Sequence, residues 1–201
     1  RQTDRQTDRQ TDRQTDRQNI IRLVQYVFGY AKLELGEVCS SISSGKSKER
    51  SKTGTYPVYG STGIIARTNR ASYDKTNILI ARVGANAGYV HLASGSYDVS
   101  DNTLIADIKP ENNLKYIFYI LQNIGLNRFA KGGGQPLITA GQIKQIEIKI
   151  PDRITQDKVV KILDEFEMIC TDLNAGIPAE INARNKQYEF YRDKLMTFKE
   201  K

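Results

Sequence analysis

The spacing of hydrophobic positions changes twice along the chain and divides it into three parts. Residues 1–18 contain no apolar side chain. Residues 19–151 hold short runs rich in β-branched and aromatic residues, separated by glycines, as in strands joined by turns. Residues 152–201 place apolar residues three and four positions apart, which is typical of helices. The pattern predicts a repeat tail, a β-rich domain and a helical region with these boundaries.

The middle part predicts a mixed α/β (α+β) domain with short helices. Its strand-like segments are residues 33–42, 56–59, 78–83, 88–92, 103–108 and 146–150. Residues 114–124 are apolar nearly all round, which predicts a buried helix. Thr139 is suited to cap a short helix before the last strand. About 120 residues are enough for an independent hydrophobic core.

The last part predicts a long helical coiled coil, because its apolar residues alternate three- and four-residue spacings. The predicted seam consists of Val159, Ile162, Phe166, Ile169, Leu173, Ile181, Tyr188, Tyr191, Leu195 and Phe198. Gly176 and Pro178 interrupt it, so two helices or one kinked helix are expected. The seam could instead pack on the chain's own domain. Fifty residues of straight helix would extend about 75 Å, however, which favours a partner helix.

The tail is a tandem repeat. Residues 1–16 are four identical copies of RQTD, followed by Arg17 and Gln18. The codons AGA, CAG, ACA and GAC would write this peptide as a pure AGAC tract, so we hypothesise a slippage-prone gene that undergoes phase variation. Without apolar residues the tail predicts disorder, or at most an isolated polar helix.

The charge lies almost entirely in the middle part. Of a formal excess of +7, residues 19–151 hold sixteen basic and nine acidic side chains, whereas the other two parts nearly balance. Such a block favours a polyanionic partner, nucleic acid above all, although plain solubility is the alternative. No apolar run reaches the roughly 18 residues that span a bilayer, which excludes a membrane protein. Cys39 and Cys170 lack CxxC spacing, and this predicts a reducing, cytoplasmic location.

The sequence lacks the patterns of a self-contained enzyme. Lys46 and Ser47 resemble the end of a phosphate loop, but position 40 is serine where the motif needs glycine. The acid-x-Lys pattern at residues 147–149 lies in an alternating strand, where a solvated face explains it. His91 is the single histidine and cannot form a histidine metal cluster. We therefore predict no catalytic residue and no metal ligand.

Four basic or polar segments predict contacts with double-stranded DNA. The candidates are Lys46, Lys48, Arg50 and Lys52 in a serine-rich stretch, Ser61, Thr62, Arg67 and Arg70 around a turn, Arg82 and Asn86 after an apolar strand, and Lys131 and Gln135 beside three glycines. Cations suit phosphates, and glutamine can read adenine. The alternatives are a solvated loop for the first segment, a structural pairing for Arg82 and a hinge for the glycines.

Several segments also resemble the specificity subunit of type I restriction-modification systems. They are YGSTGI, ILIARVGANAG and GGGQPLITAGQIKQIEIKIP in the domain, and QDKVVKILDEFE and GIPAEINARNKQYEFYRDKLMTF in the helical region. The resemblance covers residues 32–198. It implies an α/β target recognition domain followed by a conserved helical region that forms a coiled coil and docks on modification (methyltransferase) subunits. It also implies that this chain binds no cofactor. S-adenosylmethionine would belong to the methyltransferase partners, and ATP to a restriction subunit.

The chain departs from that family in one respect, since members typically carry two recognition domains and two helical regions. One interpretation is a half-subunit that forms a homodimer through its helical region and reads an interrupted palindrome. The other is the C-terminal half of a longer subunit with the repeat as spacer, in which each helical repeat unit adds about 6 Å. The hydrophilic repeat shows no apolar seam, which favours the half-subunit. A coiled-coil protein that binds other proteins and no DNA is the rival class.

Overall fold

The computed structural model describes residues 2–168 and 186–187, with side chains from residue 15 onward. Contacts divide the chain into two units, Arg1–Asp157 and Lys158–Lys201. Each unit is described by itself below. No helix of the described residues is both long and apolar enough to cross a membrane.

The first unit begins with helix α1, Gln2–Phe28, which contains the RQTD repeat. The tail is therefore not a separate segment that ends at residue 18, because its residues from Gln2 onward are helical and continue without a break into residues 19–28. The helix is attached to the rest of the unit near its C-terminal end. Gln25 donates from Nε2 to the carbonyl oxygens of Ile150 and Pro151, at 3.1 Å each. Arg17 also forms an ion pair with Glu37.

Nine strands follow within the described residues, together with three short helices and a 3-10 turn. The strands are β1 Ala31–Glu34, β2 Cys39–Ser44, β3 Tyr56–Gly60, β4 Gly63–Thr68, β5 Asn77–Ala81, β6 Val90–Ala93, β7 Asp98–Val99, β8 Thr103–Ile108 and β9 Glu147–Ile150. The helices are α2 Leu35–Val38, α3 Leu114–Ile124 and α4 Ala140–Lys144, and the 3-10 turn is Leu126–Phe129. This composition confirms the predicted mixed α/β class.

The strands form three sheets. Four antiparallel strands have the order β2-β8-β5-β6, and three have the order β4-β3-β7, in which β3 is antiparallel to β4 and parallel to β7. Strands β1 and β9 pair antiparallel on their own. The four-stranded sheet is covered on both faces, so β5 is buried along its whole length. This explains why its sequence is a continuous apolar run rather than an alternating one.

Two apolar clusters cover those two faces. Ile78 and Ile80 of β5 belong to the larger cluster, together with Ile117 and Leu121 of α3. Leu79 belongs to the smaller cluster, which includes Tyr97 and Val99 near the three-stranded sheet. Side chains of a strand alternate between faces, so one short segment joins both clusters.

Helix α3 has the predicted bounds, because both of its ends carry local signals. Asn113 caps it by accepting a hydrogen bond from the Tyr116 N–H, and Gly125 ends it at a positive φ of 67°. Its burial differs from the prediction. Only Ile117 and Leu121 are fully buried, and the other residues of α3 are half-buried or exposed. One face of the helix packs on the sheet, and the other apolar side chains cover the margin of the core.

The second unit begins within a helical stretch, since residues 153–168 are helical. Three members of the predicted seam lie in this stretch. Val159 is half-buried, whereas Ile162 and Phe166 are 52% and 60% exposed. The remaining seam residues, Ile169, Leu173, Ile181, Tyr188, Tyr191, Leu195 and Phe198, lie outside the described residues, so the coiled coil stays a prediction.

Candidate nucleic-acid interface

Three loops leave the four-stranded sheet at the same end. Ser44 at the end of β2 pairs with Leu104 of β8, and Ala81 at the end of β5 pairs with Thr103. The segment after β2, the segment after β5 and the turn before β8 therefore start side by side. The first two of these segments carry two of the predicted DNA-contacting clusters.

The turn between β3 and β4 is attached to the same place. Ser61 donates from Oγ to the carbonyl oxygen of Asn102 at 2.6 Å. Asn86 donates from Nδ2 to the carbonyl oxygen of Ser61 at 3.3 Å. Two candidates that lie 25 residues apart in sequence are thus in direct contact. Thr62, the next residue in the turn, is exposed.

Arg82 lies beneath these loops and is half-buried. Its backbone N–H donates to the Asn102 carbonyl at 2.9 Å. Its guanidinium Nη1 donates to Ser44 Oγ at 3.3 Å and to the Asp101 carbonyl at 3.4 Å. Its Nε is buried and has no acceptor among the described residues. Arg82 therefore contacts neutral oxygens of two loops rather than a carboxylate of the described part of the chain.

The triple-glycine loop is fixed next to Arg82. The Ile138 N–H donates to the Arg82 carbonyl at 2.8 Å, and the Gly84 N–H donates to the Pro136 carbonyl at 2.9 Å. The loop closes on itself, because Lys131 and Leu137 exchange two backbone hydrogen bonds of 3.0 and 2.8 Å. The side chains of Lys131 and Gln135 are exposed. Both therefore stand at the same end of the sheet as Asn86.

The segment after β2, residues 45–55, is named here the basic strap, because it carries Lys46, Lys48, Arg50 and Lys52. Its first end lies against the turn before β8. Gly45 donates from its N–H to the Thr103 carbonyl at 3.0 Å, and Ser47 donates to the Val99 carbonyl at 2.9 Å. The approach at Gly45 is so close that a Cβ there would overlap the carbonyl oxygens of Val99 and Ser100.

The strap's cations face solvent. Lys46, Lys48, Arg50 and Lys52 are all exposed. Within the described residues, the ammonium groups of Lys46, Lys48 and Lys52 have no hydrogen bond or ion pair. Arg50 donates from Nη1 to the carbonyl oxygen of Glu49 at 2.8 Å. The strap therefore offers four positive groups to a polyanion.

A carboxylate shapes the middle of the strap. Glu49 accepts hydrogen bonds through Oε1 from the N–H groups of Arg50 and Ser51, each at 2.9 Å. These two bonds hold the pKa of the Glu49 carboxyl below its usual range. The strap thus contains a negative charge between its cations, and the sequence did not predict a role for it.

Arg67 and Arg70 lie away from the Ser61–Thr62 turn, since they follow at the far end of β4. Arg67 follows Thr62 by five positions, which in a strand corresponds to about 17 Å. The Arg67 guanidinium contacts the second end of the strap, where Nε donates to the Gly54 carbonyl at 2.9 Å and Nη2 to the Thr55 carbonyl at 3.2 Å. The Arg70 side chain is exposed, and none of the described residues pairs with it.

Helix α1 carries an apolar stripe that the sequence analysis missed. Ile20, Leu23 and Val27 are three and four positions apart and are 62%, 62% and 61% exposed. This is the spacing used above to predict the C-terminal seam, so the signal was present in residues 19–28. The stripe was not predicted because only residues 19–28 lie between the repeat and Gly29, which is too short a segment for a clear periodicity. The other face of α1 borders a cavity of about 880 Å³ that Ile21, Leu33 and Ile150 line together with charged groups of both signs.

The described residues place the single histidine and one cysteine in structural positions. His91 is half-buried between the rings of Tyr59 and Tyr89, and burial lowers its pKa. Burial raises the pKa of the Cys39 thiol to about 12. No cluster of three or more His, Cys, Asp or Glu side chains suited to a metal ion occurs in the described part of the chain.

The mixed fold described above is that of a DNA-specificity domain of the restriction-modification class. Residues 29–183 match the model of the type I restriction modification DNA specificity domain, and the chain belongs to this family. Specificity subunits of type I systems are non-catalytic recognition subunits.

Curated relatives carry the same assignment. A Mycoplasma pneumoniae protein assigned as a type I specificity subunit is 30% identical over 155 residues, which are 74% of this chain and 51% of that protein. The specificity subunit of the Escherichia coli type I restriction enzyme EcoprrI is 26% identical over 142 residues, which are 71% of this chain and 35% of that subunit. The chain thus spans about half or less of the length of these relatives.

Solved structures share the fold. The crystal structure of the type I restriction-modification S subunit from M. genitalium matches with a TM-score of 0.63 and 20% identity, over 78% of this chain and 44% of that one. A second structure was solved in work on complex assembly and conformational transition of the type I restriction-modification system. It matches with a TM-score of 0.65 and 20% identity, over 92% of this chain and 53% of that one.

Proposed function

We propose that the chain recognises DNA for a type I restriction-modification complex, reading one half of a two-part target and directing methyltransferase subunits to it. The observation that supports this proposal is the meeting of separate sequence segments at one end of the four-stranded sheet. Ser61, Arg82 and Asn86 contact one another or share an acceptor there. The strap begins at the same end and the triple-glycine loop is bonded next to Arg82, which brings segments with cations and amide groups into one region.

The cations and the amide groups among these candidates are suited to different parts of DNA. The ammonium groups of Lys46, Lys48 and Lys52 suit phosphate oxygens, which carry no sequence information, and so does the guanidinium of Arg70 beyond the far end of β4. Asn86 and Gln135 carry amide groups that can pair with the edge of adenine. The cations would supply affinity, and the amides would supply part of the sequence preference.

We further propose that recognition needs a second module, since the chain spans about half or less of the length of the first curated relatives. A homodimer through the helical region would supply it and would require a palindromic, interrupted target. The exposed stripe of Ile20, Leu23 and Val27 supports association, because apolar stripes of this spacing are typical of helices that pair. In the alternative architecture, α1 is part of the spacer of a longer subunit, and each RQTD unit would add about 6 Å and about 40° of rotation.

The proposal extends to partners and location. The partners are double-stranded DNA, type I modification subunits and a restriction subunit. S-adenosylmethionine and ATP would be bound by those subunits and not by this chain. The complex would act in the cytoplasm. Phase variation through the AGAC tract remains part of the hypothesis, and sequencing the gene in several clones tests it: a non-repetitive nucleotide tract contradicts it.

The decisive experiment maps methylated adenines in the genome with and without this gene. The expected result is one interrupted motif that loses methylation when the gene is deleted and regains it on complementation. A symmetric motif supports the homodimer, and an asymmetric motif supports a longer two-domain subunit. An unchanged methylation pattern, with no methyltransferase subunit co-purifying, contradicts the proposal and favours the rival interaction protein.

A further inference from the structure

We propose that Arg67 is a positioning residue that fastens the basic strap in the conformation in which its cations meet the phosphate backbone. The inference rests on the proposed function in DNA recognition and specifies how one residue serves it. From the sequence, Arg67 was a candidate for direct contact with DNA. The geometry points to a different role for its side chain.

The Arg67 guanidinium is engaged along one edge by the strap itself. Its Nε and Nη2 donate to two consecutive carbonyl oxygens, those of Gly54 at 2.9 Å and Thr55 at 3.2 Å. The backbone N–H of Arg67 also donates to the Ser51 carbonyl at 2.9 Å. A planar guanidinium offers two parallel N–H groups on this edge, and two adjacent acceptors match that fork. This edge would otherwise be used for a phosphate.

Neighbouring contacts complete the attachment of this end of the strap. Asn69 accepts a hydrogen bond through Oδ1 from the Thr55 N–H at 3.2 Å. Gly54 has a φ of +146° and lies so near the Thr68 backbone that a Cβ there would collide with it. The other end is held by Gly45 and Ser47 against the turn before β8.

The strap is therefore attached at both ends, and its charged middle lies between the attachments. Lys48 and Arg50 stand in this middle, where the turn made by Glu49 fixes the backbone. A loop that is already ordered pays little conformational entropy when it meets a ligand, whereas a loose loop loses affinity by having to be ordered. Loss of the Arg67 fork should thus weaken DNA binding without removing a phosphate contact.

The test uses Arg67→Lys, because lysine keeps the charge but has no fork of donors. The full chain is titrated into a labelled duplex of mixed sequence at several salt concentrations from about 50 to about 200 mM. We expect the Kd of Arg67→Lys to rise about three- to tenfold at every salt concentration, the effect of ordering one or two side chains. The slope of log K against log salt should stay at the wild-type value.

Two matched variants calibrate this result. Lys48→Ala removes a proposed phosphate contact and should reduce the slope by about 0.9. Arg22→Lys makes the same chemical change as Arg67→Lys at an exposed arginine of α1 that is not among the proposed DNA contacts, and should change neither Kd nor slope. In the double variant of Arg67→Lys with Lys48→Ala, the loss caused by Arg67→Lys should be smaller than in the wild type, because the loosened strap then carries fewer contacts.

A second measurement, made without DNA, tests whether Arg67 fastens the strap even if DNA affinity is not informative. Trypsin cleavage after Arg50 and Lys52 should accelerate in Arg67→Lys, while cleavage elsewhere in the domain and the thermal midpoint stay near wild type. The positioning role is wrong if Arg67→Lys binds DNA with the wild-type Kd. It is also wrong if Arg67→Lys reduces the salt slope and its loss of affinity adds to that of Lys48→Ala in the double variant. A wild-type chain that binds no duplex at any salt concentration contradicts the proposed function itself, and unchanged trypsin cleavage of the strap would then contradict the fastening role as well.

Discussion

Ser61 and Asn102 are joined by a 2.6 Å hydrogen bond from the serine Oγ to the backbone carbonyl oxygen of the asparagine, and this bond connects the β3–β4 turn of the three-stranded sheet to the turn before β8 of the four-stranded sheet. The same carbonyl accepts the Arg82 N–H at 2.9 Å. One backbone oxygen thus holds the β3–β4 turn and the segment after β5 together. The position of Asn86 depends on it, because Asn86 donates to the Ser61 carbonyl.

Ser61→Ala should loosen this junction. Loss of one intramolecular hydrogen bond lowers the free energy of unfolding by about 1 kcal/mol. DNA affinity should fall while the salt slope stays constant, because no cation is removed. Urea unfolding and salt-dependent DNA titration measure the two effects. Ser96→Ala is the matched control, since Ser96 is exposed in another turn. Equal behaviour of the two variants contradicts the junction.

Gly45→Ala should displace the first end of the strap. An added Cβ would overlap the carbonyl oxygens of Val99 and Ser100, which belong to the backbone and cannot turn away. Forcing extra volume into such a contact costs about 1–3 kcal/mol. Gly133→Ala is the control, because nothing lies within 4 Å of its Cβ position. Urea unfolding should show a clear loss for the first variant and almost none for the second.

Glu49→Gln should strengthen DNA binding. Glutamine keeps an oxygen that can accept from the N–H groups of Arg50 and Ser51, but it removes the negative charge among the strap's cations. We expect a decrease in Kd of about two- to fivefold at moderate salt, which high salt screens away. The lowered pKa of Glu49 keeps it ionised near neutrality, so the gain should be equal at pH 6 and pH 8. Glu147→Gln makes the same change of charge on β9 and should leave Kd unchanged.

Local signals in the sequence predicted part of this fold closely. β8 is a short run rich in apolar and β-branched residues, and α3 is bounded by a cap and a glycine, so both have the predicted bounds. β4 was missed because Ile64 and Ile65 are adjacent, exposed and on an edge strand, where no alternation marks the segment. The pairing of β4 with β3 defines the strand, and such pairing is not visible in local sequence.

The candidate site was predicted as residues but not as an arrangement. Ser61, Arg82 and Asn86 were chosen separately, and their meeting depends on the register of β5 against β8. The contact of Arg67 with Gly54 and Thr55 could not be predicted at all, because its acceptors are backbone carbonyls twelve and thirteen residues away. Every residue type has a backbone carbonyl oxygen, so the sequence does not indicate which of them accepts a hydrogen bond from a distant side chain.

The buried thiol of Cys39 should make stability fall at high pH. Its pKa is raised from 9.0 to about 12 in the folded state, mainly by burial and secondly by the charge of Asp107. Above pH 9 the unfolded chain loses this proton while the folded chain keeps it. Unfolding therefore becomes more favourable as pH rises, by about 2 kcal/mol near pH 10.5 for this group. Below pH 9 the thiol contributes no pH dependence.

Cys39→Ala isolates this effect from the tyrosines and lysines that titrate in the same range. The difference in unfolding free energy between wild type and Cys39→Ala should shrink by about 2 kcal/mol between pH 8 and about pH 10.5. Urea unfolding at several pH values measures it. A difference that stays constant over this interval contradicts the raised pKa.

Two exposed apolar side chains on different helical segments test the proposed homodimer. Leu23 on α1 and Phe166 in residues 153–168 are 62% and 60% exposed, and both belong to stripes with coiled-coil spacing. An aspartate at either position would place a charge in an apolar seam, which is strongly unfavourable unless the charge is paired. We expect sedimentation at micromolar concentration to show a dimer for the wild type and a monomer for Phe166→Asp, with Leu23→Asp weakening the dimer. Asn19→Asp adds a charge beside the α1 stripe and should leave the dimer intact. A dimer that survives both substitutions refutes the seam, and a wild-type monomer favours the longer two-domain subunit.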